Sequence, residues 1–530
     1  MLFIIILPQS VMRKIKWSAF GLAIVVVIIL LGIFAFYNGR NRHPDYSLNL
    51  DIKAPKNVVT YQAGFAALKI TPEISEKWVD KNNDAAYNKE DGDTFEDKNG
   101  NEKFDTYWLA GFSKKRAASG VHDHLWARAM VIDDGHTRLA VVAIDLIGFS
   151  HNNVINIRKK LANKFGITYT IVCSTHNHEA PDMLGLWGDS FVKRGVNPVY
   201  EKWVENRIVE SIGIAVKNLK EAKLQVAQDL AGADSLNIDT RNPIVKDNGI
   251  YVLQATDAKS NSTLGAFVVW GNHPETLWSK NTLITSDFPN YVREGIEKGI
   301  YTDQKLAKKG LGGVVLYASG CVGGLMTTRP TVKIKDPFKN VYYEGATFEK
   351  AEAQGTTLAL LALNALEKSE PVKGGINLLA KTFEMPVGNI LFRLGVALGV
   401  LDNGYSSWGH FQTEAAALSI GEVSFITIPG ELYPEIANGG IETPKEGDFK
   451  LTKVVETPPL RSLMPGKYKF VLGLANDELG YIIPKSEWDK EAPYLYDSPK
   501  AHYGEVNSAG PETAPILHKT LKDMLEKLPK

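Results

Sequence analysis

Between Trp17 and Tyr37 the chain runs for 21 residues without a charged side chain, WSAFGLAIVVVIILLGIFAFY. As a helix this run is about 31 Å long at ~1.5 Å per residue, which matches the hydrocarbon core of a bilayer. No later stretch is apolar enough to do the same, so everything after residue 37 has to fold on one side of the membrane. Arg13, Lys14 and Lys16 precede the run, and Arg40 and Arg42 follow it. That slight asymmetry favours a short cytoplasmic N-terminus over residues 1–16 and an extracytoplasmic body. Met12-Arg-Lys-Ile-Lys reads more like a natural start than the apolar residues before it. The run lacks a small-residue cleavage site, so an uncleaved single-pass anchor over 17–37 is preferred to a cleaved signal.

Residues 38–60 are polar and read as a stalk. From residue 61 onward, apolar strand-like runs such as Leu139–Asp145, Tyr169–Cys173 and Gly265–Trp270 alternate with helical patterns such as Pro198–Leu219 and Ala346–Lys368. The alternation predicts an α/β fold, and the absence of any linker or repeat predicts one large mixed domain over 61–530. Lys and Arg number 60, as do Asp and Glu, so the net charge is zero and no basic patch marks nucleic acid as a partner. The two cysteines, Cys173 and Cys321, make no disulfide framework. In their apolar contexts they read as buried small hydrophobes, with a bridge between them as the alternative. The oligomeric state is not legible.

Residues 80–105 form an acidic insert, DKNNDAAYNKEDGDTFEDKNGNEKFD. Within it Asp97, Asn99, Asn101 and Asp105 set oxygen side chains at alternate positions and close on a carboxylate. A turning loop with that spacing converges oxygens on one point, as Ca²⁺ requires. It departs from the EF-hand pattern in its glycine position and its closing Asp. The alternatives are a structural calcium site and a solvated polar loop.

Four segments place candidate ligands at strand ends or turns: Ser174-Thr-His176-Asn-His178, Trp270-Gly-Asn-His273-Pro-Glu, Ile428-Pro-Gly-Glu431 and Gly480-Tyr481-Ile-Ile-Pro484. Zinc takes nitrogen and oxygen ligands and, in catalytic sites, keeps one position open. Two His, one Glu and an additional Tyr oxygen satisfy that chemistry. Spacing alone does not rank His176/His178 above His122/His124, which has the same His-x-His pattern.

Taken together, the segments resemble the catalytic domain of the neutral/alkaline non-lysosomal ceramidase family, over roughly residues 61–510. The resemblance begins at Ala63-Gly-Phe-Ala-Ala-Leu-Lys-Ile-Thr-Pro72. It continues through Gly120-Val-His-Asp-His-Leu-Trp-Ala-Arg128 and is strongest at Ser174-Thr-His-Asn-His-Glu-Ala-Pro181, similar to the family's S-T-H-T-H-S-G-P. It implies that His176, His273, Glu431 and Tyr481 ligate zinc and that His178 meets substrate. Two looser matches imply that Arg241 faces substrate and that Tyr503 lines the site. His122 and His124 become structural or supporting residues.

Two departures accompany the resemblance. Gly323 falls where the family's G-D-V-S-P-N turn carries an active-site serine, and the family's C-terminal immunoglobulin-like domain has no counterpart after Tyr503. The resemblance therefore implies a divergent, membrane-anchored zinc hydrolase of an amide bond, as in an N-acyl sphingolipid, or of an ester bond. Zn²⁺ would polarise the carbonyl and activate water, with a small lipid or N-acyl compound as substrate. The alternatives are a lipid- or glycan-binding protein without turnover and a zinc esterase with another substrate.

Overall fold

The computed structural model describes residues 9–55 and 60–529, without the side chains of residues 9–19 and 21. The first part of the expected cytoplasmic segment, residues 1–8, and residues 56–59 of the expected stalk lie outside the described residues. Helix α1 (Gln9–Gly39) contains the apolar run, and no residue of its stretch Leu22–Gly39 is buried.

The strands run in chain order as β1 (Asn49–Ile52), β2 (Tyr61–Lys69), β3 (Trp126–Asp133), β4 (Arg138–Ile144), β5 (Tyr169–Ser174), β6 (Lys220–Asp229), β7 (Ile250–Asp257) and β8 (Thr263–Trp270). They continue with β9 (Val314–Ser319), β10 (Ile376–Pro386), β11 (His410–Ile420), β12 (Val423–Thr427), β13 (Glu431–Leu432), β14 (Tyr468–Leu472) and β15 (Tyr481–Ile482). Among the described residues, two large sheets dominate. One has the order β9-β8-β7-β6-β2-β3-β4-β5, the other β1-β10-β11-β12-β14. The segment expected as a stalk thus contains an edge strand. The alternation Leu48-x-Leu50-x-Ile52 puts three apolar side chains on one face, and they pack on the core.

Side-chain alternation explains the layers. In β3, Met130 and Ile132 point between the sheets, whereas Ala127, Ala129 and Val131 point outward to helices. Those helices are α2 (His151–Leu161) and α3 (Pro198–Lys217). Helices α4 (Phe288–Lys298) and α5 (Phe348–Leu366) cover β7–β9. The short helix α6 is Ile390–Ala397, and α7 (Thr513–Leu525) covers the outer face of the second sheet. Both faces of each sheet are buried, so most strands read as continuous apolar runs. Cys173 and Cys321 are buried and free.

The first sheet curls until its end strands approach each other. Ser319 Oγ, on β9, donates to Thr175 O, just past β5, at 2.8 Å. Arg128 Nη1, on β3, donates to Val315 O at 3.0 Å. The curl brings together the C-terminal ends of β5 and β8, which stand far apart in strand order.

A candidate metal centre at the floor of an apolar cleft

β4 and β5 pair in parallel, and the chain leaving β5 keeps that pairing for two more residues: Thr175 N donates to Ile144 O and Asn177 N to Leu146 O. His176 lies between them with φ +65°. A left-handed backbone at a non-glycine residue costs on the order of 1 kcal/mol. The sheet and the turn on either side hold it there. His273 follows β8 by three residues, and its N–H donates to Met326 O at 2.9 Å. Glu431 and Tyr481 face each other as direct partners in the parallel pairing of β13 with β15. Two short strands thus set a carboxylate and a phenol side by side.

These four side chains converge. His176 Nε2 lies 3.3 Å and His273 Nε2 3.1 Å from Glu431 Oε2. Tyr481 OH lies 3.4 Å from His273 Nε2. On the far side of each ring, His176 Nδ1 meets Ile147 O at 2.7 Å and His273 Nδ1 meets Met326 O at 2.8 Å. A carbonyl accepts only an N–H, so each Nδ1 carries a proton, and each Nε2 is the ring atom turned toward Glu431 and available to a metal. Ligands about 2.0–2.1 Å from a tetrahedral zinc are about 3.3 Å from one another, and the observed separations have that size. His176, His178 and His273 also offer ring nitrogens that all lie within 4.8 Å of one another, a group that can hold a metal ion. The donor set and its spacing therefore fit a divalent metal.

Electrostatics agree with a pre-formed anionic ligand. Burial alone would raise the Glu431 carboxyl, but the His176 and His273 imidazoles outweigh it and hold it at about 2. His178 is held neutral: burial first, then His176 and His273, push its pKa well below the usual imidazole value. It is buried, yet neither ring nitrogen has a hydrogen-bond partner. Glu275 Oε2 stands 3.2 Å from its Nδ1, outside hydrogen-bonding geometry. An unsatisfied buried imidazole is expensive unless a ligand meets it. Gly111, at φ +101°, lets the chain pass against this ring, because a Cβ there would overlap Nδ1, Cγ and Cβ of His178.

Above these groups lies a cleft with about 720 Å³ of empty space, solvent at its mouth included. Its walls are mainly apolar: Leu184, Leu186, Trp187, Phe392, Leu401 and Phe411. His176, His178, Glu431 and Tyr481 are at its floor, and Tyr503 lines it while remaining 54% exposed. Such a cleft suits an elongated apolar ligand with one polar group at its end.

Not every expected residue joins the site. Arg241 is not among the residues lining the cleft. Its Nη1 and Nη2 each donate to a Glu505 carboxylate oxygen at 2.7 Å, and Nη2 also donates to Glu487 O at 2.8 Å. Through Glu505, Arg241 is tied to the short helix Tyr503–Val506. His122 stacks on Phe348, and His124 Nδ1 lies 3.2 Å from Thr71 Oγ1, both outside the cluster. At Gly323 a Cβ would lie 2.5 Å from both the Tyr433 amide nitrogen and Cδ2, and 2.6 Å from the Leu432 carbonyl carbon. Backbone closes that position to any side chain, the family's serine included.

Asp97, Asn99, Asn101 and Asp105 share one exposed turn. Asn99 Nδ2 and Asn101 Nδ2 both donate to Asp105 Oδ2, at 2.7 and 2.8 Å. Amides of residues 100–102 donate to Asp97. The turn lies outside the cleft.

Two acidic residues escaped the sequence reading although both sit inside motifs it singled out. Glu275, beside His178, accepts from Thr327 Oγ1. Glu478 lines the cleft; Oε1 accepts from Gly480 N at 2.9 Å while Oε2 is buried without a partner. Burial, then Glu431, raise its pKa well above the carboxylate range, so it carries a proton. The available signal was a carboxylate close to a candidate ligand in each motif, Glu275 two residues after His273 and Glu478 three before Tyr481.

Residues 103–326 match the family described as neutral/alkaline non-lysosomal ceramidase, N-terminal. The neutral ceramidases of Drosophila melanogaster and Drosophila pseudoobscura pseudoobscura are each 25% identical over 215 residues, covering 37% of this chain and 30% of each relative. The match therefore spans less than a third of those relatives' length. The crystal structure of neutral ceramidase from Pseudomonas aeruginosa shares the fold with a TM-score of 0.62 at 17% identity, over 89% of this chain and 76% of that one. A ceramidase structure complexed with C2 gives 0.61 at 16% identity, with the same coverage. The resemblance read from the sequence is thereby shown over residues 103–326, where the chain is similar to the neutral/alkaline ceramidases, and the likeness of fold extends beyond that segment. The matched segment contains His176, His178, Arg241 and His273, whereas Glu431, Tyr481 and Tyr503 lie beyond it.

Proposed function

We propose that this chain is a zinc-dependent, membrane-anchored extracytoplasmic hydrolase that cleaves the amide bond of an N-acyl, ceramide-like lipid. An ester of similar shape is the variant substrate. The observation that carries this reading is the convergence of His176, His273, Glu431 and Tyr481, with separations of 3.1–3.4 Å, where His176, Glu431 and Tyr481 line an apolar-walled cleft. His176, His273 and Glu431 would hold zinc, with Tyr481 as a further oxygen. When bound, zinc supplies a Lewis acid that polarises a carbonyl and acidifies water.

The chain's own residues supply the rest. The apolar walls exclude water and align the acyl chain. His178, neutral and unpartnered, offers a ring nitrogen to the carbonyl oxygen or to a proton in transit. Glu478 holds a proton within the cleft and is the group proposed to protonate the leaving nitrogen. Tyr503 closes one side of the mouth, and Arg241 keeps it there through Glu505. The loop at Asp97–Asp105 is proposed as a structural calcium site outside the chemistry.

Gly323 favours a second reading, binding of the same lipid class without turnover, because the family's serine position carries no side chain here. Incubating the purified chain with a panel of N-acyl lipids and simple esters separates the two. Hydrolysis lost in His178→Ala supports the first; binding of the lipids with no product supports the second.

A further inference from the structure

Helix α6 (Ile390–Ala397) has three faces with three different neighbours. Val396 is buried in a small cluster with Met385, Val387 and Leu401. Phe392 lines the wall of the cleft. The remaining face turns Ile390, Leu391 and Leu394 outward at 65%, 56% and 53% exposure. Three large aliphatic side chains on one short helix form an apolar patch of the kind that marks an interaction surface.

The adjoining structure identifies what covers it. The exit of α1 is fastened to the segment that continues α6. Asn38 Nδ2 donates to Ala397 O at 3.0 Å, Arg42 Nε to Asp402 Oδ1 at 3.1 Å, and Arg40 pairs with Tyr405 as a parallel bridge. The apolar run of α1 therefore ends against α6. Around this junction gather the residue types that occupy a bilayer's headgroup layer: Tyr37 and Arg40 at the end of α1, Arg393 on α6, and Trp408, which is 86% exposed. Arginines there can reach phosphates while their stems stay in apolar surroundings.

Resting on the anchor reading above, we propose that the outer face of α6 lies in the headgroup layer of the same bilayer that α1 crosses. It forms the membrane-side rim of the cleft, so a lipid passes from the leaflet along α6 to the floor without crossing bulk water. Phe191, four residues past the cleft-lining Trp187, is a further large apolar side chain left 81% exposed.

The test uses the full chain in lipid nanodiscs with one environment-sensitive fluorophore per variant, at Leu391→Cys, Leu394→Cys, Val79→Cys or Leu30→Cys. Cys173 and Cys321 are buried, so the label goes to the introduced thiol. Replacing part of the phosphatidylcholine with a spin-labelled analogue should quench the labels at 30, 391 and 394 and spare position 79, an exposed valine immediately before the acidic insert. Quenching at 30 with none at 391 and 394 overturns the rim while leaving the anchor. No quenching at 30 removes the anchor and the rim with it. Quenching at all four positions means adsorption without a defined face and also overturns the proposal. None of these outcomes depends on turnover, so failure of the hydrolase reading is read separately.

Discussion

Replacing Arg241 with glutamine removes the cation that, among the described residues, pairs with Glu505 and leaves that carboxylate buried. Both partners are nearly inaccessible, with side chains 6% and 1% exposed, and the pairing is bidentate at 2.7 Å. Breaking one side of such a pair costs about 3–5 kcal/mol, whereas removing both charges is far milder. Arg241→Gln should therefore be strongly destabilised. The double variant Arg241→Gln/Glu505→Gln should recover much of the loss, with a coupling energy of about 2 kcal/mol or more. Unfolding of the full chain in detergent, followed by tryptophan fluorescence, reads the stability. Hydrolysis of a short-chain N-acyl lipid, read in parallel, separates the two roles of the arginine. As a brace for Tyr503, Arg241 acts mainly through KM, and the double variant regains activity along with stability. If the double variant is as stable as the parent yet stays inactive, the guanidinium touches substrate and the positioning argument is wrong.

Gly323→Ala should lower the unfolding temperature by an amount equivalent to about 1–3 kcal/mol, because Tyr433 and Leu432 backbone atoms cannot yield to a Cβ; an unchanged melting curve would contradict the packing. Burial and then mutual repulsion raise Glu435 well above the carboxylate range, and burial holds Glu487, its hydrogen-bonded neighbour, at about 7. The folded pair keeps a proton that the unfolded chain releases near 4.5, so this stabilisation is full below pH 4.5 and declines as pH rises through 7. Glu435→Gln should flatten that decline in a series of melts between pH 5 and 8, and an unaltered slope would refute the assignment. Calorimetric titration with calcium should show binding that Asp105→Ala abolishes; a flat titration of the parent chain would end the calcium reading.

The elements were largely legible because period-2 and period-3.6 patterns are strong where a face is buried, as in Tyr169–Ser174 and Pro198–Lys217. β6, β7, β10, β11 and β14 were not singled out; in β10 and β11 the apolar residues are interleaved with polar ones that face the cover layer or solvent. β1 was missed because three alternating apolar residues within a polar stretch are a weak signal. The convergence of His176 with His273 was legible only through likeness to a family, because it depends on the curl of a sheet that brings distant strands together. Pairing of β13 with β15, two residues each, has no local signature either. The partner of Arg241 was illegible for a different reason. A motif gives the residue but not its partner, and Glu505 lies 264 positions away in the sequence.

The account stands on the metal. Elemental analysis of the purified full chain after dialysis against metal-free buffer should find about one zinc per chain, and the content should fall sharply in His273→Ala and Glu431→Gln. A parent chain without zinc, or zinc retained undiminished in both variants, would contradict the central claim.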